Sequence, residues 1–313
     1  MTRLIHGLHH VTAISGDAQG NLDFYTRGLG LRLVKKTVNF DAPQVYHLYY
    51  GDGQGSPGSV MTFFPFPGAR AGRVGRGQAS ITQFSVPPGS LDAWQARLAD
   101  HRGRFVAREE VFGEERLVAA DPEGLLIALV GRDDDRAPWQ VGDVPSGQAI
   151  RGFAGVTMAV AAEAPIADIL TGTFGYVRRA EMPLGAGRLV RYRQEGVAAG
   201  VVDLHIDPAL AAGVEAAGTV HHVAFRVADR NAQAEIRDRL LAAGHSVTEA
   251  IDRDYFWAIY FRTDEGILFE VATDEPGFMV DEPLDSLGAS LQLPRQHAHL
   301  REGLEASLPP LSP

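Results

Sequence analysis

Short apolar runs rich in β-branched and aromatic residues recur along the whole chain, each broken by glycine or a polar cluster, and they read as strands. The first is GLHHVT at residues 7–12. A polar, glycine-containing stretch follows at residues 16–21, and residues 22–27 carry a short helical pattern closed by Gly28 and Gly30. Three more strand patterns occupy residues 32–39, 45–50 and 59–64, separated by Asp41-Ala42-Pro43 and by the turn-forming GDGQGSPG. The unit is strand, helix, three strands. It returns from Ala79, with Ser90 as the expected N-cap of a helix through Asp100. A third pass starts at Gly155 with its helix over residues 165–173. The fourth starts at His221 and has its helix over residues 231–243, with Asp229 or Arg230 near its N-terminus and Gly244 as the stop. Opening and closing strand slots lie about fifty residues apart in every unit, which marks an internal repeat.

The pattern predicts an α+β fold of four βαβββ modules in two tandem domains, with cupped mixed sheets. The charged and then turn-rich GRDDDRAPWQVGDVPSGQ reads as the linker, so the expected domains are residues 1–145 and 146–313. Equivalent slots of a repeat should be equivalent in space. The opening slot holds His10, Ile81, Gly155 and His222; the closing slot holds Thr62, Ala128, Leu204 and Glu270. Only the first and fourth units keep ligand chemistry. Pairing them in one cup would bring His10, His222 and Glu270 together and leave the second and third units as scaffold.

Composition narrows the partners. The 313 residues carry 39 acidic against 29 basic side chains, a formal net charge of -10, so nucleic acid and anionic membrane surfaces are repelled on average. There is no cysteine, which excludes disulfides, thiolate metal sites and a cysteine nucleophile. Neither a secretory h-region nor a run of about eighteen apolar residues occurs, and a cytoplasmic location is the expectation.

Glu270 is the most telling residue. It interrupts GILFEVAT with Leu268, Phe269, Val271 and Ala272 around it, and a carboxylate buried there needs a cation. The bland alternatives are a salt bridge to an arginine, or a solvated strand face. Each histidine doublet, His9-His10 and His221-His222, heads a strand. Alternation sends one member into the cup and the other away, and parity does not say which. Two imidazoles and one carboxylate on strands match the ligand set of a mononuclear non-haem Fe(II) site. The remaining histidines have plainer readings. His47 is expected to be a strand residue with a local partner, His101 and His245 lie at helix ends, and His297 and His299 sit in a C-terminal helix. Asp203 and His205 share one face of the third unit and read as structural rather than ligating.

Four motifs together resemble the vicinal oxygen chelate superfamily, and within it the ring-cleaving dioxygenases similar to hydroquinone 1,2-dioxygenases. They are LHHVTAISGDAQGNLDFY, YHLYYGDGQGSPGSVMTFFPFP, GTVHHVAF and DRDYFWAIYFRTDEGILFEVATDEPGF. The resemblance spans nearly the whole chain, including the C-terminal LPRQHAHLREGLEASLPPL. It implies paired βαβββ modules around one divalent metal, held by the second histidine of each doublet, His10 and His222, and by Glu270. It further implies a non-haem Fe(II) dioxygenase of extradiol type, with Mn(II) or Zn(II) as alternative metals, acting on an aromatic diol and O2. His9, Thr12, His221, Arg253 and Tyr260 are implied to line the substrate pocket, with His9, His221 or Tyr260 as acid or base and Arg253 stabilising negative charge. His9 and His10 face the same cup only if a strand end or bulge interrupts the alternation. Tyr260 stands opposite Glu270 if the hairpin loop is Asp264-Glu265-Gly266, whereas a two-residue turn puts Ile259 there. The rival readings are a glyoxalase-type lyase or isomerase, for which Thr62 stands where a second carboxylate is usual, and a binding or resistance protein without the triad. The Gly/Arg-rich segment at residues 65–77 is expected to be a mobile gate. Oligomeric state, a homo-oligomer included, is open.

Overall fold

The computed structural model describes residues 3–139 and 144–312; residues 140–143 of the expected linker lie outside them. The first module comprises β1 (Ile5–Ser15), α1 (Ala18–Asp23) running on as a π-helical turn (Phe24–Gly28), β2 (Arg32–Val38), β3 (Tyr46–Gly51) and β4 (Val60–Pro65). The second comprises β5 (Gln78–Val86), α2 (Leu91–Asp100), β6 (Arg104–Val111), β7 (Glu114–Ala120) and β8 (Leu126–Gly131). In the third, β9 (Gly152–Val160) leads to α3 (Ala164–Asp168) with its own π-helical turn (Ile169–Thr173), then β10 (Val177–Leu184), β11 (Gly187–Arg193) and β12 (Val201–Ile206). The fourth has β13 (Thr219–Val227), α4 (Arg230–Ala242), β14 (Ile251–Asp252), β15 (Phe256–Arg262) and β16 (Leu268–Pro276). A tail ending in α5 (Arg301–Ser307) completes the chain.

Local chemistry explains the helix starts. The Asp17 carboxylate accepts a hydrogen bond from the Gly20 amide at 3.0 Å, so α1 begins inside the polar, glycine-containing stretch, ahead of the helical pattern expected over residues 22–27. Asp229 caps α4 in the same way, accepting from Ala232 at 2.8 Å. Ser90 stands at the start of α2 but does not cap it; its hydroxyl donates to the Pro87 carbonyl at 2.7 Å. The first and third modules share their π-helical turn and leave it through a glycine of positive φ, Gly30 at 69° and Gly175 at 72°. At this level the second half of the chain repeats the first.

The sheets cross that division. One has the order β14-β15-β16-β13-β1-β4-β3-β2 and the other β10-β11-β12-β9-β5-β8-β7-β6. The first module therefore shares a sheet with the fourth, and the second with the third, through antiparallel seams of β1 with β13 and β5 with β9. Residue 145 divides the sequence, while each sheet takes a module from either side of it. The slots superpose with one correction. His10 pairs with Ala224 and Thr12 with His222, as Gly155 pairs with Gln83 and Thr157 with Ile81 across the other seam. Thr62 opposite Thr12 answers to Asp203 opposite Thr157, not to Leu204. One residue of register moves a side chain to the other face, so the third unit carries a carboxylate in its cup.

Alternate strand positions separate two apolar surfaces. Val11, Phe63, Val223, Phe225, Phe269 and Val271 join Ile236 and Leu240 of α4 in the main core. A smaller cluster with Val34, Tyr49, Val60, Ala224, Phe256 and Ala258 lies on the other face of the sheet, around its polar centre. The segment expected to be a mobile gate is tied down. Gly72, Arg73 and Arg76 donate backbone hydrogen bonds to Ala217, Val214 and Ala211, so the two connectors between the sheets brace one another. The tail straps the first module: the Lys35 ammonium, fully buried, lies 2.5 Å from both Asp281 and Glu282, and Tyr46 donates to the Pro309 carbonyl.

Candidate metal centre

His10 on β1, His222 on β13 and Glu270 on β16 converge at the bottom of the first sheet, their ligand atoms all within 4.8 Å of one another. His222 Nε2 lies 2.9 Å from Glu270 Oε2, His10 Nε2 lies 3.4 Å from the same oxygen, and the two imidazole nitrogens are 3.3 Å apart. Two donors in adjacent octahedral positions about 2.1 Å from a metal stand about 3 Å apart, so this near-equilateral triangle suits one face of such a sphere. Glu270 is fully buried, and neither of its oxygens has an aligned hydrogen bond. Burial pushes its carboxyl up, but the neighbouring His10 and His222 outweigh that and hold it well below the usual carboxylate range. Burial also depresses His222 to about 4 against the pull of Glu270, so its imidazole is neutral near pH 7. A carboxylate beside two imidazoles, with no arginine or lysine bonded to it, is chemistry that a divalent cation completes.

The doublets show how both histidines of a pair reach one site. Register shifts fall between Leu8 and His10 on β1 and opposite His221 on β13, so the first histidine of each pair is the extra residue of a β-bulge. Side chains that would alternate then lie together. His9 Nδ1 is 2.9 Å from His10 Nδ1, and His221 Nδ1 is 2.8 Å from His222 Nδ1. His9 Nε2 lies 3.1 Å from the Thr273 carbonyl, which can only accept, so that nitrogen carries the proton. With burial and then His10 lowering it to about 3, His9 is neutral and its Nδ1 accepts from His10 Nδ1–H, which leaves the His10 Nε2 lone pair aimed at Glu270 and His222.

Above the triad opens a cavity of about 530 Å³. His10, His221, His222, Arg253, Tyr260 and Glu270 line it, whereas His9 and Thr12 lie behind its wall. Tyr260 pairs with Glu270 across β15 and β16; Thr263 and Ile267 close the hairpin with a backbone hydrogen bond, leaving the three-residue loop that this placement requires. Arg253 Nε donates to the Tyr260 hydroxyl at 3.1 Å, and its guanidinium also faces the Phe40 ring. Burial, then Glu270, raises the Tyr260 phenol well above its ordinary value, so it stays protonated. Sequence reasoning missed His47, Tyr49, Phe40 and Phe256 as lining residues. The available signal was parity: His47 and Tyr49 stand two apart on β3, with Tyr49 opposite Thr62. His47 has its expected local partners, accepting or donating at 2.8 Å to Tyr49 and to Thr62, yet it faces the cavity. His297 and His299, expected in a C-terminal helix, lie in the 3-10 segment Arg295–Leu300 that leads into α5, and His297 is bonded to the Phe40 carbonyl at 2.8 Å.

The second sheet has a polar centre of another kind. Asp203 is fully buried and receives a forked pair of hydrogen bonds from Arg191, Nε to Oδ1 at 2.8 Å and Nη2 to Oδ2 at 2.9 Å. Gln83 adds a third at 3.0 Å. Asp203 is structural, as the sequence suggested, and His205 is only partly buried beside it in the chain.

Comparison with known proteins agrees with this geometry. The model of the glyoxalase/bleomycin resistance protein/dioxygenase superfamily matches residues 7–129 and 156–271. MhqE of Bacillus subtilis (strain 168), assigned as a ring-cleaving dioxygenase, is 44% identical over 307 residues, covering 97% of this chain and 99% of its own. The chlorohydroquinone/hydroquinone 1,2-dioxygenase of Sphingobium indicum is 34% identical over 310 residues, with coverage of 96% and 95%. A crystal structure of a Bacillus subtilis (strain 168) protein assigned as a dioxygenase superposes with a TM-score of 0.93 at 42% identity, covering 99% of both chains.

Proposed function

The chain belongs to the glyoxalase/bleomycin resistance protein/dioxygenase superfamily, and from that premise we propose that it is a ring-cleaving dioxygenase acting on a dihydroxylated aromatic such as a hydroquinone or catechol. The observation that carries the reading is the buried Glu270 carboxylate converging with two imidazoles at the floor of a cavity lined by aromatic rings. His10, His222 and Glu270 are the proposed metal ligands. Fe(II) is the proposed metal and would supply Lewis-acid and one-electron redox chemistry toward a phenolic substrate and O2; Mn(II) is an alternative of the same kind, whereas Zn(II) would supply Lewis-acid chemistry alone.

The remaining roles belong to the chain's own side chains. Arg253 faces negative charge that develops on the substrate oxygens, and it donates a hydrogen bond to the Tyr260 hydroxyl, which lines the same cavity. His221 lines the cavity and is lowered from its ordinary value, by burial first, so it is a free base at neutral pH that can take the proton of a substrate hydroxyl. His9 has both nitrogens engaged and acts by orienting His10 rather than by touching substrate. Thr12 acts from behind the wall through its 2.9 Å hydrogen bond with Thr62. Both oxygen atoms of O2 enter the product, and the ring opens between a hydroxyl-bearing carbon and its neighbour without one, the extradiol sense, to give a ring-opened acid. The glyoxalase-type rival lacks its second carboxylate, since Thr62 bonds Thr12 and His47 instead.

Among the described residues no helix is long and apolar enough to cross a membrane. The proposed compartment is the cytoplasm, on the acidic and cysteine-free composition. The test is oxygen uptake after anaerobic loading with Fe(II), on a panel of hydroquinones and catechols. The reading expects one O2 consumed per diol with loss of the aromatic absorbance. A loaded protein that consumes no oxygen with any diol overturns it.

A further inference from the structure

One polar device in the cavity has no part in the metal centre. Tyr49 on β3 lies 2.8 Å through its hydroxyl from His47 Nδ1, His47 Nε2 lies 2.8 Å from Thr62 Oγ1, and Thr62 Oγ1 lies 2.9 Å from Thr12 Oγ1. The ring of His47 is held by Phe64 at 4.4 Å and that of Tyr49 by Phe278 at 5.1 Å, so the pair is rigid. Both residues line the cavity, and β3 is separated from β15, which carries Tyr260, by β4, β1, β13 and β16. The sheet curls until Tyr49 and Tyr260 border the same space.

We propose that Tyr49, positioned by His47, is the specificity-determining residue that hydrogen-bonds a second substrate hydroxyl from the β3 wall of the cavity, across the sheet from the β15 wall that carries Tyr260. The inference rests on the dioxygenase reading above. Both His47 nitrogens are spent within the chain of hydrogen bonds, so the phenol oxygen of Tyr49 is its end toward the cavity. The chain can run in either direction. With His47 protonated on Nε2, Tyr49 donates to Nδ1 and offers the cavity a lone pair; with the proton on Nδ1, Tyr49 receives and offers its own proton. A hydroxyl satisfies both, being donor and acceptor. A methyl group satisfies neither and leaves the phenol only its bond to His47. A para diol places its second oxygen across the ring from the first, whereas a vicinal diol spends both at the metal. Tyr49 therefore favours the hydroquinone arrangement.

The experiment measures dissociation constants of hydroquinone and 4-methylphenol, without oxygen, on the metal-loaded full chain. Wild type is expected to bind hydroquinone about tenfold tighter, the worth of one net hydrogen bond. Tyr49→Phe keeps the ring against Phe278 and is expected to erase that preference while 4-methylphenol binds as before. His47→Leu frees the hydroxyl and reduces the preference, and His47→Asn, whose amide still reaches Tyr49, restores it. A Tyr49→Phe variant that keeps the wild-type ratio, or weakens both ligands equally, overturns the proposal and leaves the dioxygenase reading standing. If wild type binds neither phenol, the dioxygenase reading fails and the proposal falls with it. Should His47→Leu not fold, Tyr49→Phe alone decides.

Discussion

The two sheets solve the same electrostatic problem in different ways. Both are eight-stranded, both pair their modules through an antiparallel seam, and both carry bulges in the same places, at His9 and His221 in one and at Ala154 and Ser80 in the other. Each buries a carboxylate completely, Glu270 in the first and Asp203 in the second. In the second, Arg191 stands directly opposite Asp203 across β11 and β12 and closes the charge with a fork. In the first no such fork reaches Glu270; two imidazoles face it instead. The bulge is thus a property of the fold, and chemistry depends on which residues occupy it and on whether the cation is built in or left to be bound. Asp121 makes a third case, with neither metal nor arginine. It accepts from Tyr25 and from the amides of Glu123 and Leu125, and burial, only partly offset by those bonds, pushes its carboxyl up to about 6.

Breaking the built-in pair should have the largest effect. Arg191→Met leaves Asp203 buried without its cation and is expected to cost about 3–5 kcal/mol in urea denaturation, with metal content unchanged. A second metal per chain in that variant would break the comparison, because charge alone would then make a site. Glu270→Gln acts at the other centre: the rise in melting temperature that metal gives the wild type is expected to disappear, because the carboxylate that draws the cation is gone. A variant that keeps the full rise would mean that the two imidazoles alone hold the metal. Next in size, His9→Ala removes the group that orients His10, and metal affinity by calorimetric titration should weaken about 10–100-fold with one site retained; unchanged affinity would reduce the doublet to packing.

The smallest effect concerns pH. Asp121 binds its proton more tightly folded than unfolded, so its contribution is fully present below the unfolded value near 4 and is lost as pH rises through about 6. Stability should therefore fall across that interval and level off above it, and Asp121→Asn should flatten this component. A variant that keeps the full slope would assign it to other groups.

Much of this contrast is legible in the amino-acid sequence itself. The repeat places His10, His222 and Glu270 in slots that prove equivalent because strand parity is preserved within each module, and a carboxylate amid Leu268, Phe269, Val271 and Ala272 advertises a buried charge. The bulges cannot be read this way, since an extra residue breaks the parity on which the reading depends. The third unit's slot was misread by one, at Leu204 instead of Asp203, because connections of different length make the spacing between opening and closing strands vary from unit to unit, and Arg191 went unnoticed as its partner. His47 and Tyr49 were hidden by their apolar company: every residue of β3 is buried, so no alternation of polar and apolar residues marks which face meets the cavity. α1 starts ahead of its apolar pattern because Asp17 caps it from a polar, glycine-containing stretch that carries no helical periodicity.

The most direct test of the central claim is the number of Fe(II) ions bound per chain under anaerobic conditions, in wild type and in Glu270→Gln. One ion per wild-type chain and none held at the same concentration by the variant is the predicted result. Equal binding in both, or no binding in either, would contradict the assignment of Glu270 as the carboxylate that draws the metal into the first sheet.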